Sequence, residues 1–187
     1  MNSVLLIIDM QEDFFRHERL KNHRAKLTHC TNELAEICRA GDSHIIWVTQ
    51  EFMPDLSDAS REVRAKGIHI VVAGTPGASL LPELKAGLSD TYVVKKRYSA
   101  FFGTHLDKLF ARLKPDRLLI AGINTHACVR STVVDAYQRD YEIILASECI
   151  DSHDAEHHEI SWRYMEGKLG TAMSNAQVRS LLASDAG

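Results

Sequence analysis

The sequence predicts a single three-layer αβα domain built on a doubly wound, mainly parallel sheet. Three observations carry that reading. Val4-Leu5-Leu6-Ile7-Ile8 is an unbroken apolar run of strand length that stops abruptly at Asp9, the pattern of a strand buried on both faces. Leu118-Leu119-Ile120-Ala121 repeats it, turns at Gly122 and passes into helical spacing, with Val129, Val133, Ala136 and Tyr137 apolar. Strand-like and helix-like segments alternate along the chain, which implies parallel βαβ units with right-handed crossovers. In such a sheet ligands bind at the turns that follow the carboxyl ends of the strands.

Taken in order, residues 4–8 form the first strand. Residues 22–40 carry an apolar stripe of Leu27, Cys30, Leu34, Ile37 and Cys38 that ends before Gly41, which predicts a helix whose cysteines pack against the sheet. Residues 43–50 predict the second strand. Residues 51–82 read as a long loop punctuated by Pro54, Gly67, Gly74, Pro76 and Gly77, and long ordered loops tend to be binding walls or lids. Within it, residues 68–72 suit either a short edge strand or apolar packing. Gly74-Thr75-Pro76-Gly77 lacks the lysine of a phosphate loop and is a turn. Leu80, Leu81 and Leu84 predict a short helix before a strand that starts at Thr91. Thr104 is placed to cap a helix through Leu113, with Leu106, Leu109, Phe110 and Leu113 facing the sheet. Lys114-Pro115-Asp116 breaks the chain ahead of the Arg117 strand. The helix after Cys128 is expected to end near Asp140, and residues 141–146 form a further buried strand with a structural Cys149 beyond it.

The 187 residues, 45% hydrophobic and 25% charged, fit one domain (1–187) large enough to bury a core. A net charge of −3 and a pI near 6.4 give no electrostatic case for nucleic acid or an anionic membrane as partner. The first apolar run has no basic region before it and reads as a strand, not a signal peptide. No run approaches the ~20 apolar residues of a membrane span. Cys30, Cys38, Cys128 and Cys149 lack zinc-type spacing, so reduced thiols and a cytoplasmic setting are expected.

Chemistry concentrates at three strand ends. Cys128 falls in the first turn of a helix, where the dipole and unpaired N–H groups favour an anion, lower a thiol's pKa and can hold an oxyanion. Asp9 faces the same edge, and Thr91-Tyr92-Val93-Val94 runs into Lys95-Lys96-Arg97 and then aromatics. A lone cysteine is most often a core hydrophobe; an acid, a cation and a thiol that each close a strand or a strand-helix turn form a constellation. Successive strand side chains point to opposite faces, so only one of Lys95 and Lys96 can join Asp9. His126, two positions before the thiol, points elsewhere at a helix start and is at most a pocket residue. Residues 151–158 bring His153, His157 and His158 near Asp151 and Asp154 in sequence and raise the possibility of a divalent metal. The reading taken is a helix capped by Asp151 or Ser152, with the histidines on different faces. Trp162, Tyr164 and Met165 suit a core or a subunit contact.

These segments resemble the isochorismatase-like cysteine hydrolase family. Asp9-Met10-Gln11-x-Asp13-Phe14, Lys95-x-Arg97-Tyr98-Ser99-Ala100-Phe101-x-Gly103-Thr104 and Gly122-Ile123-x-Thr125-x-x-Cys128-Val129 match its motifs in order over nearly the whole chain. The resemblance implies a catalytic triad of Asp9, Lys95 and Cys128, selecting Lys95 over Lys96. It also implies a cis peptide between Ile123 and Asn124, with the backbone N–H groups of Asn124 and Cys128 as an oxyanion hole. The implied activity is C–N hydrolysis of a small amide, carbamoyl or ureido compound through a thioester, with no cofactor, in a homo-oligomer. Phe14, Tyr98, Phe101, Phe102 and His126 are the expected substrate-binding residues. The nicotinamidase branch carries metal-binding Asp and His just after the second strand. Glu51-Phe52-Met53-Pro54-Asp55 has no such pair, which argues against a metal and against nicotinamide. Three rival readings stand beside this one. A cysteine-free branch hydrolyses the vinyl ether of isochorismate; Cys128 argues against it. A nucleotide-binding protein would want a Gly-rich turn where Asp9-Met10-Gln11 stands. A non-catalytic scaffold would not need Asp9, Lys95 and Cys128 together.

Overall fold

The computed structural model describes residues 1–185. Six strands, β1 (Ser3–Ile8), β2 (His44–Gln50), β3 (Thr91–Lys95), β4 (Arg117–Gly122), β5 (Glu142–Ile150) and β6 (Thr171–Met173), form one sheet in the order β3-β2-β1-β4-β5-β6. Every neighbouring pair is parallel. The chain runs outward from β1 to β2 and β3, then returns to lay β4 on the other side of β1. The β1–β4 seam is therefore the place where the strand order reverses, and a crevice opens there at the carboxyl ends.

Alternation along the strands makes the layers, because successive side chains leave opposite faces. Val4, Leu6, Ile8, Leu118 and Ile120 pack with Leu106, Phe110, Val133 and Met165, so α3 (Leu106–Leu113), α4 (Arg130–Tyr137) and α5 (Ala155–Met165) cover one face. Leu5, Ile7, Trp47, Leu119 and Ala121 pack with Leu20, Leu34, Cys38 and Val178, which places α1 (Glu18–Ala40) and α6 (Asn175–Asp185) on the other. Cys30 and Cys38 lie in this second layer. Among the described residues no helix is long and apolar enough to cross a membrane.

Several local expectations need correction. The first long helix starts at Glu18, because residues 12–16 form a 3-10 turn that leads straight into it. Residues 68–72 make only a single bridge, Phe52 to Val72, and pack apolar side chains into a small cluster of Phe52, Leu56, Ala59, Val71 and Ala78. Leu80, Leu81 and Leu84 form no helix: Leu81 N–H donates to the Met10 carbonyl at 3.0 Å and Leu80 bridges Gln11, so this stretch is extended. The loop instead contains α2 (Arg61–Lys66), capped by Ser60 and closed by Gly67 at φ +60°. Its signals, a serine before and a glycine after, are local and short. His105, not Thr104, holds the cap position of the helix at residues 106–113, although Thr104 Oγ accepts from Leu106 N–H. The helix after Cys128 ends at Tyr137. β5 runs on through Cys149, and β6 and α6 complete the fold beyond it.

The long connection is fastened from below. Gln11 Nε2 donates to the Gln50 and Ala78 carbonyls at 2.9 and 2.6 Å while its Oε1 accepts from Gln50 N–H. Asp13 Oδ2 accepts from Val71 N–H at 2.7 Å. Gly77 passes so close that a Cβ would overlap the Asp13 carboxylate.

Candidate active site

Three strand ends deliver the polar groups of the crevice. Asp9 follows β1 with φ +53° and donates its N–H to the Val48 carbonyl. A left-handed backbone costs a non-glycine residue about 1 kcal/mol, so this turn is held by its surroundings. Lys95 ends β3, opposite Gln50 in the β2–β3 register. After β4, Gly122 has φ +113°, and a Cβ there would collide with the Ile8 carbonyl. Only glycine lets β4 run this close to β1. The Ile123–Asn124 peptide is cis, and residues 125–129 then wind as a π-turn into α4.

Lys95 Nζ lies 2.7 Å from Asp9 Oδ2 and 3.3 Å from Cys128 Sγ. Gln50 Oε1 at 3.4 Å and the Arg97 carbonyl at 3.1 Å complete its surroundings. Lys95 is 0%, Asp9 1% and Cys128 4% exposed. Lys96 turns the other way, to Asp58 at 2.9 Å. Burial lifts the Asp9 carboxyl above its ordinary value against the pull of Lys95. For Lys95 burial opposes the charge, but Asp9 and Cys128 outweigh it and hold the ammonium up. Burial and then the Asp9 charge push the Cys128 thiol up, against Lys95. This corrects the expectation of a thiol lowered by a helix start: Cys128 sits inside a buried π-turn, where desolvation of the thiolate dominates. Lys95 and Asp9 thus make a buried ion pair beside the Cys128 thiol.

Asn124 is nine-tenths buried and its backbone N–H donates to no acceptor among the described residues. Its carbonyl accepts from Ala127 and Val129 N–H at 3.0 and 3.2 Å. A cavity of about 590 Å³ adjoins the Asp9–Lys95–Cys128 cluster through Gln50 and is walled by Arg61, Arg97, Tyr98, Phe102 and Ser131, the last one turn beyond Cys128.

Of the expected wall residues, Tyr98 and Phe102 line this cavity and are exposed. Phe101, 3% exposed against 66% for Phe102, faces the core instead, edge-on to Phe110. Phe14 is half-buried between the α1-side core and the loop cluster. His126 faces away, toward His153 and His157 at ring separations of 5.1 and 5.5 Å. His153 and His157 therefore gather with His126, because the Asn124–Cys128 turn folds back on that segment, while His158 keeps to the expected other face, on Thr125 Oγ and stacked on Trp162. The cap of α5 is Asp154, accepting from His157 N–H at 2.8 Å, since the chain stays extended through Ser152. Met165 is buried, Trp162 Nε1 donates to Glu166, and Tyr164 is covered by Arg130 and Lys168. Sequence reasoning missed Gln50, Arg61 and Ser131, and gave Gln11 no role of its own although it stands in the Asp9-Met10-Gln11 motif. Gln50 was findable as a polar residue closing a strand beside Asp9; Arg61 and Ser131 had no motif.

The nicotinamidase-type metal ligands do not fit this chain. After β2, Phe52 is buried in the loop cluster and Asp55 Oδ1 accepts from Ser57 N–H, and no His stands nearby in sequence. Among the described residues no three His, Cys, Asp or Glu side chains converge as metal ligands.

A family model, the isochorismatase domain, matches residues 3–177. A probable inactive nicotinamidase of Arabidopsis thaliana is 33% identical over 147 residues, 75% of this chain and 75% of that protein. A maleamate amidohydrolase of Pseudomonas putida is 27% identical over 72% of this chain and 63% of its own. The crystal structure of an isochorismatase family protein from Desulfovibrio vulgaris superposes with a TM-score of 0.85 at 28% identity, covering 97% of this chain and 98% of that one.

Proposed function

The chain belongs to the isochorismatase family, and on that premise we propose that it is a cysteine hydrolase cleaving the C–N bond of a small amide, carbamoyl or ureido compound. The observation that carries the proposal is the water-excluded contact of Lys95 Nζ with both Asp9 and Cys128, at 2.7 and 3.3 Å. Burial raises the Asp9 carboxyl and so makes its carboxylate a stronger base toward the thiol, the direction that general acid–base work asks for.

In this proposal Asp9 takes the Cys128 proton as the thiolate attacks the substrate carbonyl carbon, and Lys95 steadies the charge. The N–H groups of Asn124 and Cys128 hold the resulting oxyanion. When the C–N bond breaks, Asp9 returns the proton to the leaving nitrogen, and ammonia or an amine departs from a thioester. Water, deprotonated by Asp9, attacks the thioester; the C–S bond breaks, the acid leaves and Cys128 regains its proton. Tyr98 and Phe102 supply the apolar wall for a small, partly planar acyl group, and the enzyme acts as a homo-oligomer in the cytoplasm.

The maleamate amidohydrolase relative supports amide chemistry; the Arabidopsis relative named as inactive supports the scaffold reading. Ammonia release from a panel of small amides, carbamoyl and ureido compounds decides between them. Turnover that persists with chelator and falls below about a thousandth in Cys128→Ala and Asp9→Asn is expected. No turnover of any compound by wild type moves the scaffold reading to the front.

A further inference from the structure

The segment that follows β5 grips the Asn124–Cys128 turn residue by residue. Asn124 Oδ1 accepts from both His153 N–H and His153 Nδ1, at 3.0 and 3.1 Å. Thr125 Oγ pairs with His158 Nδ1 at 2.7 Å, and Thr125 N–H donates to the Asp151 carbonyl at 3.0 Å. His126 Nδ1 pairs with Ser152 Oγ at 2.7 Å. The segment is itself anchored to α1, where Arg19 donates to Asp151 Oδ1 and to the Ser152 carbonyl and His23 Nδ1 reaches Asp151 Oδ2 at 2.6 Å.

Within this clasp His153 has a special place. A backbone N–H can only donate, so its contact identifies the Asn124 atom it meets as the carboxamide oxygen. The second contact then requires a proton on His153 Nδ1. The imidazole is fixed in turn, stacked on His17 at 4.5 Å and edge-on to His126 at 5.1 Å. Every acceptor of Asn124 is thus used twice, while its backbone N–H stays free.

We infer that His153 is a positioning residue: through the Asn124 carboxamide it sets the direction of the Asn124 backbone N–H, which the proposed reaction uses to hold the oxyanion. The inference rests on that proposed reaction for its purpose, but not for its geometry. His153 touches no reacting atom, and a donor displaced by a fraction of an ångström still binds substrate while losing its hold on the transition state.

The test compares wild type, His153→Ala and His153→Asn, whose side-chain N–H occupies the place of Nδ1. Deuterium uptake by the peptide containing residues 123–129 is followed by mass spectrometry, alongside steady-state kinetics. Faster uptake in His153→Ala, restored in His153→Asn, is expected. A kcat about 10- to 100-fold lower in His153→Ala, with KM within about 3-fold, should accompany it and should recover in His153→Asn. Unchanged uptake, or an asparagine variant no better than alanine, overturns the inference. A wild type that hydrolyses nothing while uptake still responds sinks the proposed reaction and leaves the positioning of Asn124 standing.

Discussion

Lys95 and Asp9 meet at 2.7 Å although β2 runs between their strands. The lysine must cross the end of β2, past Gln50, to reach the β1–β4 seam. It arrives with both charges fully withdrawn from water.

A buried pair of this kind costs most when halved. Lys95→Met leaves the Asp9 carboxylate without its cation, and a loss of about 3–5 kcal/mol is expected. Lys95→Met with Asp9→Asn leaves no charge and should recover a large part of it. Urea unfolding of the wild type, both single variants and the double variant measures the coupling; strictly additive losses would contradict it.

Phe101 and Phe102 separate core from cavity. Phe101→Ala empties a packed site and should cost about 3–5 kcal/mol. Phe102→Ala, at the exposed cavity wall, should shift stability by about 0.5 kcal/mol or less and raise KM instead. Thermal unfolding and steady-state kinetics on the two variants give the comparison; a Phe102 variant that unfolds as easily as the Phe101 one would remove Phe102 from the wall.

Gly122→Ala should be among the most damaging single substitutions, because the new Cβ meets the Ile8 carbonyl and φ is +113°. A loss of about 4 kcal/mol or more is expected, read as a fall in the urea midpoint. A variant as stable as wild type would mean that β1 and β4 can part at this point without harm.

Acid should weaken the clasp. His126, His153 and His158 are held below their ordinary value by burial first; neighbouring histidines add to this for His126 and His153, and Arg19 for His158. Around them stand His17, His23, His157, Asp151, Asp154 and Arg19. An imidazole whose folded value is depressed binds its proton first in the unfolded chain, so stability falls as pH drops below about 6.5 and levels off beneath the folded values. His157, raised by Asp154, has the opposite sign but is exposed and therefore weak. Melting temperatures between about pH 5 and 8 should show the fall, less steep in His153→Asn. An identical slope in that variant would exclude His153 as a source.

Much of this molecule was legible in its sequence because apolar runs such as residues 4–8 and 118–121 can only be strands buried on both faces. Asp9 follows one such run, Lys95 ends a strand and Cys128 lies in the turn that follows another, so their meeting at one edge follows from the parallel sheet. Phe101 and Phe102 were not separable: their aromatic character assigns both to a wall, and only the packing against Phe110 sends one inward. The histidines 126 and 153 lie on different elements, and their proximity depends on how the Asn124–Cys128 turn folds back. The fastening of the loop by Gln11 and Asp13 was hidden for the same reason, since its partners are backbone groups that carry no sequence signal.

The placement of β1 between β2 and β4 also fixes an order of events during synthesis. β1 is made before β2 and can pair with it early, but its other edge has no partner in the sheet until β3, α3 and β4 have followed. Until then a fully apolar strand keeps one open edge, the condition under which nascent chains aggregate. The crevice that holds Asp9, Lys95 and Cys128 lies on the same edge, so it closes only when that open edge of β1 is covered.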